Sequence, residues 1–327
     1  MSSIFSYSTR DLKFILKEWL PTEEVFAYDK YKDYYSKDDV DMMIDQVYKI
    51  ASEFVAPIAE ELEEHGVKFE DGKVTVAPGM TKLFRYLQEN GWGTSNIDET
   101  AEGTIPEVLF CSLQEMIQAA CPAGTSAGGL TTGAARLIQS FGTPEMKEMF
   151  LPKMFDGTWS GTMCLTEATA GSDVGDILSK AYPTDDPRIY KIKGSKQFIT
   201  CGDGDFAENI IHLYLARVDG AAPGTKGISL FVVPKYWVNE DGSLEDNDVV
   251  TTAIEHKMGL HGQPTAALAM GDNNNCRGWL LGNPPGPDGQ AEGMAQMFVM
   301  MNEERQGTGL MATCVAANAY WNAKNYC

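Results

Sequence analysis

Residues 163–173, which read Met-Cys-Leu-Thr-Glu-Ala-Thr-Ala-Gly-Ser-Asp, and residues 196–201, which read Lys-Gln-Phe-Ile-Thr-Cys, are the stretches that decide the fold. In the first, an apolar strand runs into a loop of small residues, whose backbone N–H groups can approach a ligand closely. In the second, Phe198 and Thr200 are two residues apart, so on a strand their side chains project to one face. The two stretches together predict an aromatic wall beside a hydroxyl, which could hold a flat ring system.

The spacing alone also fits an ordinary strand followed by a turn. The residue order is more specific: Leu-Thr-Glu at 165–167, three further residues, Gly-Ser-Asp at 171–173, and then Gly-Ser-Lys-Gln-Phe-Ile-Thr at 194–200. This series resembles the central signature of the acyl-CoA dehydrogenase flavoproteins. The resemblance implies a flavin site.

Further segments resemble the same family, in the same order along the chain. They are 150–158 before the flavin strand, 257–265 near the end of the β-domain, 279–282, and 300–307 in the opening helix of the C-terminal domain. The first forty residues, and within them the segment 7–14, resemble the N-terminal extension of a larger subgroup that includes methylmercaptopropionyl-CoA dehydrogenases. The resemblance therefore covers nearly the whole chain.

Composition limits the class of protein. The chain has 327 residues, of which 43% are hydrophobic, so it can bury a large core divided among two or three domains. No apolar run approaches the length of a membrane span, and the N-terminus lacks the order of charged and apolar residues that a signal peptide has. A soluble, cytoplasmic protein is expected.

Charge and cysteine content exclude several functions. The net charge of −20 would repel a nucleic acid, and no cluster of Lys or Arg reverses it locally. The seven cysteines are dispersed, which indicates reduced thiols. Since no histidines stand beside them at zinc-ligand spacing, no metal site is predicted.

The predicted fold class is α+β, divided into an N-terminal extension (1–36), an N-terminal helical domain (37–157), a central antiparallel β-domain (158–282) and the first helix of a C-terminal helical bundle (290–327). The boundary before the last helix is the clearest, because 282–289 contains three prolines and three glycines. In the family this bundle has four helices, so the chain is expected to be a fragment that lacks most of its last domain.

Periodicity predicts the individual elements. The expected helices are 37–65 with a kink at Pro57, 77–90, 105–120, 131–140 and a short helix that starts again at 144–147. The expected strands, in an antiparallel sheet or a small barrel, are 159–166, 190–192, 197–200, 209–218 and 227–234.

The resemblance implies FAD as the cofactor and assigns residues to its ring. Backbone groups of Leu165 and Thr166, with the Thr166 hydroxyl, would meet the pyrimidine edge, Thr200 would bond near N5, and Phe198 would pack on the ring. Met163 stands where the family often has an aromatic residue, so its contact with the ring is left open. For each threonine the alternative is an ordinary residue of a sheet.

The resemblance also implies contacts to coenzyme A. Ser172 would lie near that moiety. Arg305 and Asn302 are three residues apart and share a helix face with Phe298, which would meet the pantetheine and adenine side of coenzyme A. The alternative for Arg305 is a structural salt bridge.

A candidate general base follows from helix geometry. Met297, Met300, Met301 and Glu304 stand at i, i+3, i+4 and i+7, so Glu304 shares a face with three methionines. Desolvation on an apolar face raises the proton affinity of a carboxylate, as a base near neutrality requires. Two alternatives remain open: an ion pair between helices, or a base in the later helices of the family, beyond Cys327.

The function predicted from the resemblance is FAD-dependent 2,3-dehydrogenation of an acyl-CoA thioester, with electrons passed to an electron-transfer flavoprotein. The family is usually a homodimer or homotetramer. An acyl-CoA oxidase that uses oxygen remains an alternative, as does a non-catalytic subunit that binds acyl-CoA or takes part in assembly.

Overall fold

The computed structural model describes residues 5–92 and 104–327. Parts of two predicted domains, 1–4 of the N-terminal extension and 93–103 of the N-terminal helical domain, lie outside these ranges. The described helices are α1 (Thr9–Phe14), α2 (Thr22–Phe26), α3 (Lys37–Ile50), α4 (Ala56–His65), α5 (Pro78–Glu89), α6 (Glu107–Ala120), α7 (Pro122–Phe141), α8 (Pro144–Phe155) and α9 (Gly293–Tyr326).

The helix predicted over 37–65 is interrupted near Pro57, as expected. A π-helical turn, Ala51–Val55, separates α3 from α4, and Pro57 occupies the first turn of α4. Proline has no N–H and its ring clashes with the carbonyl four residues earlier, so the preceding turn widens. The distortion therefore lies one turn before the proline.

Two predicted helices were too short. Helix α7 begins at Pro122 rather than at 131, and α8, which was expected to be a short helix starting at 144–147, continues to Phe155. The glycines of α7 lower helix propensity, but they allow close packing. At Gly133, for example, an added Cβ would lie 2.8 Å from Cγ of Met300 on α9. Tertiary packing therefore overrides local propensity.

The described strands are β1 (Lys68–Glu70), β2 (Lys73–Thr75), β3 (Trp159–Cys164), β4 (Lys180–Pro183), β5 (Ile189–Thr200), β6 (Asn209–Val218), β7 (Ile228–Pro234), β8 (Tyr236–Val238), β9 (Leu244–Asp246), β10 (Val249–Ile254), β11 (Thr265–Met270) and β12 (Arg277–Leu281). Strands β1 and β2 form a hairpin inside the region that the sequence had indicated as mainly helical.

Eight of these strands form one sheet. Seven of them follow the order β10-β11-β5-β12-β7-β6-β3, and the eighth, β4, lies between β5 and β6. Because β4 pairs with both β5 and β6, it closes a ring of strands, which combines the two predicted alternatives of sheet and barrel. Most pairs are antiparallel, as expected. The pairs β3–β6 and β4–β6 are parallel, which the sequence had not indicated.

Helix α7 packs against β3 and connects the helical layer to the sheet. The backbone N–H of Gly161 on β3 donates to the Thr131 hydroxyl at 3.0 Å, and an added Cβ at Gly161 would lie only 2.5 Å from Cβ of Ala134. Helix α9 packs in turn on α6, α7 and β7. The site described below lies where these helices meet the end of β5.

The N-terminal segment lies against the C-terminal helix. Backbone N–H of Ser6 donates to Oδ1 of Asn318 at 3.0 Å, and the Tyr7 hydroxyl donates to Glu115 on α6. The extension therefore contributes to the same helical layer as α6 and α9. Within residues 5–92 and 104–327, none of the helices combines the length and the apolar character needed to span a bilayer.

Candidate functional site

The two motif segments lie side by side, at the end of β3 and along β5. The backbone N–H of Gln197 donates to the carbonyl of Thr166 at 2.8 Å. Met163, on β3, is half-buried against the helical core, Leu165 is buried, and Thr166 is half-buried. The structure therefore brings together residues that are about thirty positions apart in the sequence.

A buried ion pair joins the same segments. Nζ of Lys196 lies 2.8 Å from Oε1 of Glu167 and donates to the carbonyl of Leu165 at 3.0 Å. Glu167 also accepts the backbone N–H groups of Leu178 and Ser179. Burial by itself would raise the pKa of Glu167, but Lys196 and these donors outweigh it, so the pKa lies below its usual value.

The end of β5 is not a regular strand. Ala266 pairs with Ile199 while Leu268 pairs with Lys196, so β5 carries one extra residue, and Phe198 adopts a φ of 62°. This is a β-bulge. The regular alternation expected for the segment was therefore wrong at Phe198, whose side chain is 56% exposed. Thr200 is half-buried, and Ile199 between them is buried in the β-sheet core.

The motif segments offer free donors. Neither the Thr166 nor the Thr200 hydroxyl forms a hydrogen bond within the part of the chain that the structure describes. The acceptor edge of a flavin ring requires such groups, and the exposed face of Phe198 offers an apolar surface. The residues present therefore fit a flavin.

A cavity of about 840 Å³ opens beside Thr200. Its walls come from one face each of α6, α7 and α9, together with the end of α5 and the loop at Leu260 and Gln263. Of the residues predicted for the site, this cavity brings together Thr200 and Glu304. Its volume is within the range of small-ligand sites.

Glu304 occupies the α9 wall of this cavity. Met297 and Met300, on the same helix face, are fully buried, and Glu304 is half-buried. Its carboxylate forms no ion pair or hydrogen bond with the described residues. Burial, followed by the neighbouring charge of Glu303, raises the pKa of Glu304 to about 7. The ion pair between helices belongs instead to Glu303, which contacts Arg136 of α7.

The residues predicted to contact coenzyme A lie outside the cavity lining. Arg305 places its guanidinium 5.4 Å from the centre of the Phe298 ring and donates to Oδ1 of Asn302 at 3.3 Å. These three side chains form one exposed face of α9. Ser172 is exposed in the loop after β3.

Within the described residues, the histidine and cysteine side chains show no arrangement suited to metal binding or catalysis. No group of three or more His, Cys, Asp or Glu side chains within 5–92 and 104–327 is arranged to hold a metal ion. His212 is fully buried on β6, where Nδ1 lies 2.7 Å from the Thr162 hydroxyl, and burial lowers its pKa to about 3. Burial raises the pKa of the Cys201 thiol to about 12.

Polar residues of the cavity were missed in the sequence. On α6, Glu107, Cys111, Gln114 and Gln118 stand at intervals of three and four and line one wall. On α5, Gln88 lines another wall although it is nearly completely buried. The polar stripe on α6 was a detectable signal, whereas nothing local in the sequence distinguishes Gln88.

Two family models match the chain. "Acyl-CoA dehydrogenase, N-terminal domain" matches residues 37–158, and "Acyl-CoA dehydrogenase, middle domain" matches residues 162–272. Together they include the α3–α8 helices and most of the sheet.

Curated relatives extend the match to α9. A butyryl-CoA dehydrogenase of Syntrophomonas wolfei is 46% identical over 327 residues, which cover 99% of this chain and 53% of the relative. A 3-methylmercaptopropionyl-CoA dehydrogenase of Ruegeria pomeroyi is 32% identical over 322 residues, which cover 97% of this chain and 52% of the relative. The chain thus spans about half the length of these relatives.

A solved structure shows the same fold. Caenorhabditis elegans ACDH-11 in complex with C11-CoA aligns over 98% of this chain and 54% of that chain, with a TM-score of 0.77 at 19% identity. The predicted fold class, with an N-terminal helical domain, a middle β-domain and a C-terminal helix, is confirmed.

Proposed function

Since the chain belongs to the acyl-CoA dehydrogenase family, of which it carries the N-terminal and middle domains, we propose that the protein oxidises an acyl-CoA thioester to the 2,3-enoyl-CoA with FAD as cofactor. The observation that carries this proposal is the position of Glu304. Its carboxylate has a raised pKa and lines the same cavity as the unpartnered Thr200 hydroxyl. The cavity would thus hold a base and a hydroxyl donor of the flavin motif together.

When bound, FAD supplies the acceptor for the hydride that leaves Cβ of the thioester. Leu165, Thr166 and Thr200 would hold its ring by hydrogen bonds, and Phe198 and Met163 would contribute apolar contacts. Lys196 and Glu167 keep the two segments together beneath that site.

Glu304 would accept the proton from Cα through a carboxylate oxygen. The removal of that proton leaves a negative charge that spreads onto the thioester oxygen, so donors near the oxygen lower the barrier. A pKa near 7 suits the task, because the carboxylate is partly ionised at neutral pH and still basic enough to take the proton.

The exposed α9 face would contact coenzyme A. Arg305 offers charged donors that suit a phosphate or a carbonyl oxygen, Asn302 offers an amide beside it, and Ser172 offers a hydroxyl in the loop after β3. Short-range donors such as these can bind an anion although the chain carries a net charge of −20.

Electrons would pass from the reduced flavin to an electron-transfer flavoprotein, as the family resemblance implies. A homodimer or homotetramer is proposed on the same basis. The 56% exposed ring of Phe198 is consistent with a surface that a cofactor or a second subunit covers.

The test uses the protein loaded with FAD and freed of oxygen. Addition of butyryl-CoA should bleach the flavin absorbance in a stopped-flow experiment, and an electron-transfer flavoprotein should restore it faster than dissolved oxygen does. Faster reoxidation by oxygen would favour an oxidase. Failure to bind FAD, with retained binding of butyryl-CoA, would favour a non-catalytic subunit and contradict the proposal.

A further inference from the structure

A buried acceptor in the cavity lining has no hydrogen-bond partner among the residues that the structure describes. Gln88 is 2% exposed, and its Nε2 donates to the carbonyl of Met154 at 3.0 Å. That bond fixes the orientation of the amide, because a carbonyl can only accept. Oε1 has no hydrogen-bond partner within residues 5–92 and 104–327. A buried acceptor without a partner is costly, so a group that enters the cavity is expected to donate to it.

A glycine lies beside the buried oxygen of Gln88. A Cβ added to Gly128 of α7 would lie 3.8 Å from Oε1 of Gln88, and both residues line the cavity. Gly128 therefore places no side chain between the cavity and this oxygen.

Several other polar groups of the same cavity have donors engaged within the protein. The Thr125 and Ser126 hydroxyls donate to the carbonyl of Pro122, and Nε2 of Gln114 donates to the carbonyl of Trp92. Arg136 forms an ion pair with Glu303. At these positions the walls therefore present oxygen acceptors to an incoming ligand.

A second amide adds to this arrangement. Oε1 of Gln118, on the α6 wall, is buried and unpartnered within the described ranges. An amide can turn either its oxygen or its NH₂ toward a ligand. A hydroxyl group can donate to Gln88 and can meet Gln118 in either orientation. A carboxylate cannot donate to these oxygens and would be repelled by Glu304.

From these contacts we propose that the cavity selects an acyl group that carries a hydroxyl or another neutral hydrogen-bond donor, with Gln88 as the specificity-determining residue. The inference rests on the proposed function, because it takes the cavity as the site of the acyl chain. It concerns the choice among acyl-CoA thioesters, not the reaction itself.

The test compares matched thioesters on the protein with FAD bound. The probes are 4-hydroxybutyryl-, 5-hydroxypentanoyl- and 6-hydroxyhexanoyl-CoA, each against the thioester in which a methyl group replaces the hydroxyl, with butyryl-CoA and glutaryl-CoA as references. For at least one length, kcat/KM should favour the hydroxyl by about tenfold or more, the effect of one buried hydrogen bond that is otherwise unmade.

Variants connect the preference to Gln88. Gln88→Met should abolish it. Gln88→Met also leaves the Met154 carbonyl unpaired, so a second variant, Gly128→Ala, tests the same preference. Its methyl group narrows the space beside Oε1 while the Gln88 side chain stays intact. The matched control is Gly129→Ala, since Gly129 lines the same cavity but an added Cβ there meets nothing within 4 Å. It should preserve the hydroxyl-to-methyl ratio.

The outcomes separate this inference from the proposed function. If butyryl-CoA reduces the flavin but the hydroxyl and methyl thioesters have equal kcat/KM, only the inference is overturned. Water would then be the hydrogen-bond partner of Gln88. A preference for glutaryl-CoA, or a ratio unchanged in both Gln88→Met and Gly128→Ala, would overturn the inference as well. If no thioester reduces the flavin, the proposed function fails. The inference is then decided by calorimetric dissociation constants of the same thioester pairs.

Discussion

Nζ of Lys196 lies 2.8 Å from Oε1 of Glu167, and the two side chains are 0% and 4% exposed. The residues come from different motif segments, and the pair also holds the carbonyl of Leu165 and the backbone N–H groups of Leu178 and Ser179. Removing either partner would leave the other charge buried without a counter-charge, which costs far more stability than losing a surface ion pair.

Lys196→Met should therefore destabilise the protein by about 3 kcal/mol or more, because the Glu167 carboxylate remains buried without its cation. Chemical denaturation of the protein without FAD measures this free energy of unfolding. The control is Lys180→Met, since the Lys180–Asp219 ion pair is exposed and its loss should change the free energy by less than about 1 kcal/mol.

Combining Lys196→Met with Glu167→Gln should recover part of the lost stability. Glutamine removes the uncompensated charge, and its oxygen can still accept a backbone N–H from Leu178 or Ser179. Equal instability of the single and double variants would show that packing, not charge, explains the effect.

Glu304→Gln should slow flavin reduction by an acyl-CoA thioester by about two to four orders of magnitude, the range for the loss of a general base. Glutamine keeps the size of the side chain, so the dissociation constant of the thioester should change little. Anaerobic stopped-flow measures both quantities. A rate within roughly tenfold of the parent would be too small a loss for the base and would assign the role to another residue.

The pH profile of flavin reduction should rise through about 7, because burial raises the pKa of Glu304 to about 7 and only the ionised carboxylate accepts a proton. Glu303 contributes to that raised pKa through its charge. Glu303→Gln should therefore move the midpoint to lower pH while the plateau rate at high pH stays similar. A midpoint that stays in place would mean that another group titrates.

Thr166→Val with Thr200→Val should weaken FAD retention or slow its reduction, because two flavin acceptors would lose their donors. FAD content after gel filtration and anaerobic reduction rates measure the two effects. Thr252→Val is a suitable control, since Thr252 is exposed on β10, where its hydroxyl donates to Ala267. Full FAD content and an unchanged rate in the double variant would contradict the proposed contacts.

Arg305→Ala should raise KM for an acyl-CoA thioester by about tenfold with little change in kcat, as expected when a charged hydrogen bond to a remote part of the substrate is lost. The matched control is the corresponding acyl-pantetheine thioester, which lacks the nucleotide. Its KM should respond less if Arg305 contacts the nucleotide side. An equal rise for both thioesters would instead place the contact on pantetheine.

Much of the fold and part of the site could be predicted from local sequence. The apolar spacing of α3 and α9, the acidic start of α3 and the proline-rich segment at 282–289 each act within a few residues, which is the range of helix periodicity, capping and turn chemistry. The position of Glu304 on a methionine-lined face follows from the same short-range rule. The resemblance of 163–173 and 194–200 to a family supplied what periodicity could not, namely the flavin assignment.

Other features needed the tertiary structure. The bulge at Phe198 depends on how β5 pairs with β11, and the early start of α7 depends on the close approach of Leu62 on α4 and Leu83 on α5 to Gly124. Local propensity opposes both features. They form because long-range pairing and packing outweigh that propensity.

The sequence by itself determined the α+β organisation, the two motif segments and the helix face that carries Glu304, because each is set by residues close together in the chain. Only the tertiary structure decided that Lys196 neutralises Glu167 and that Gln88, at the cavity wall, has a buried oxygen with no partner among the described residues. Lys196 and Glu167 are 29 residues apart in the sequence. Gln88 and Met154, whose carbonyl accepts the hydrogen bond that holds Gln88, are 66 residues apart. The physical reason is that burial and hydrogen-bond partners are properties of neighbours in space, which spacing along the chain does not specify.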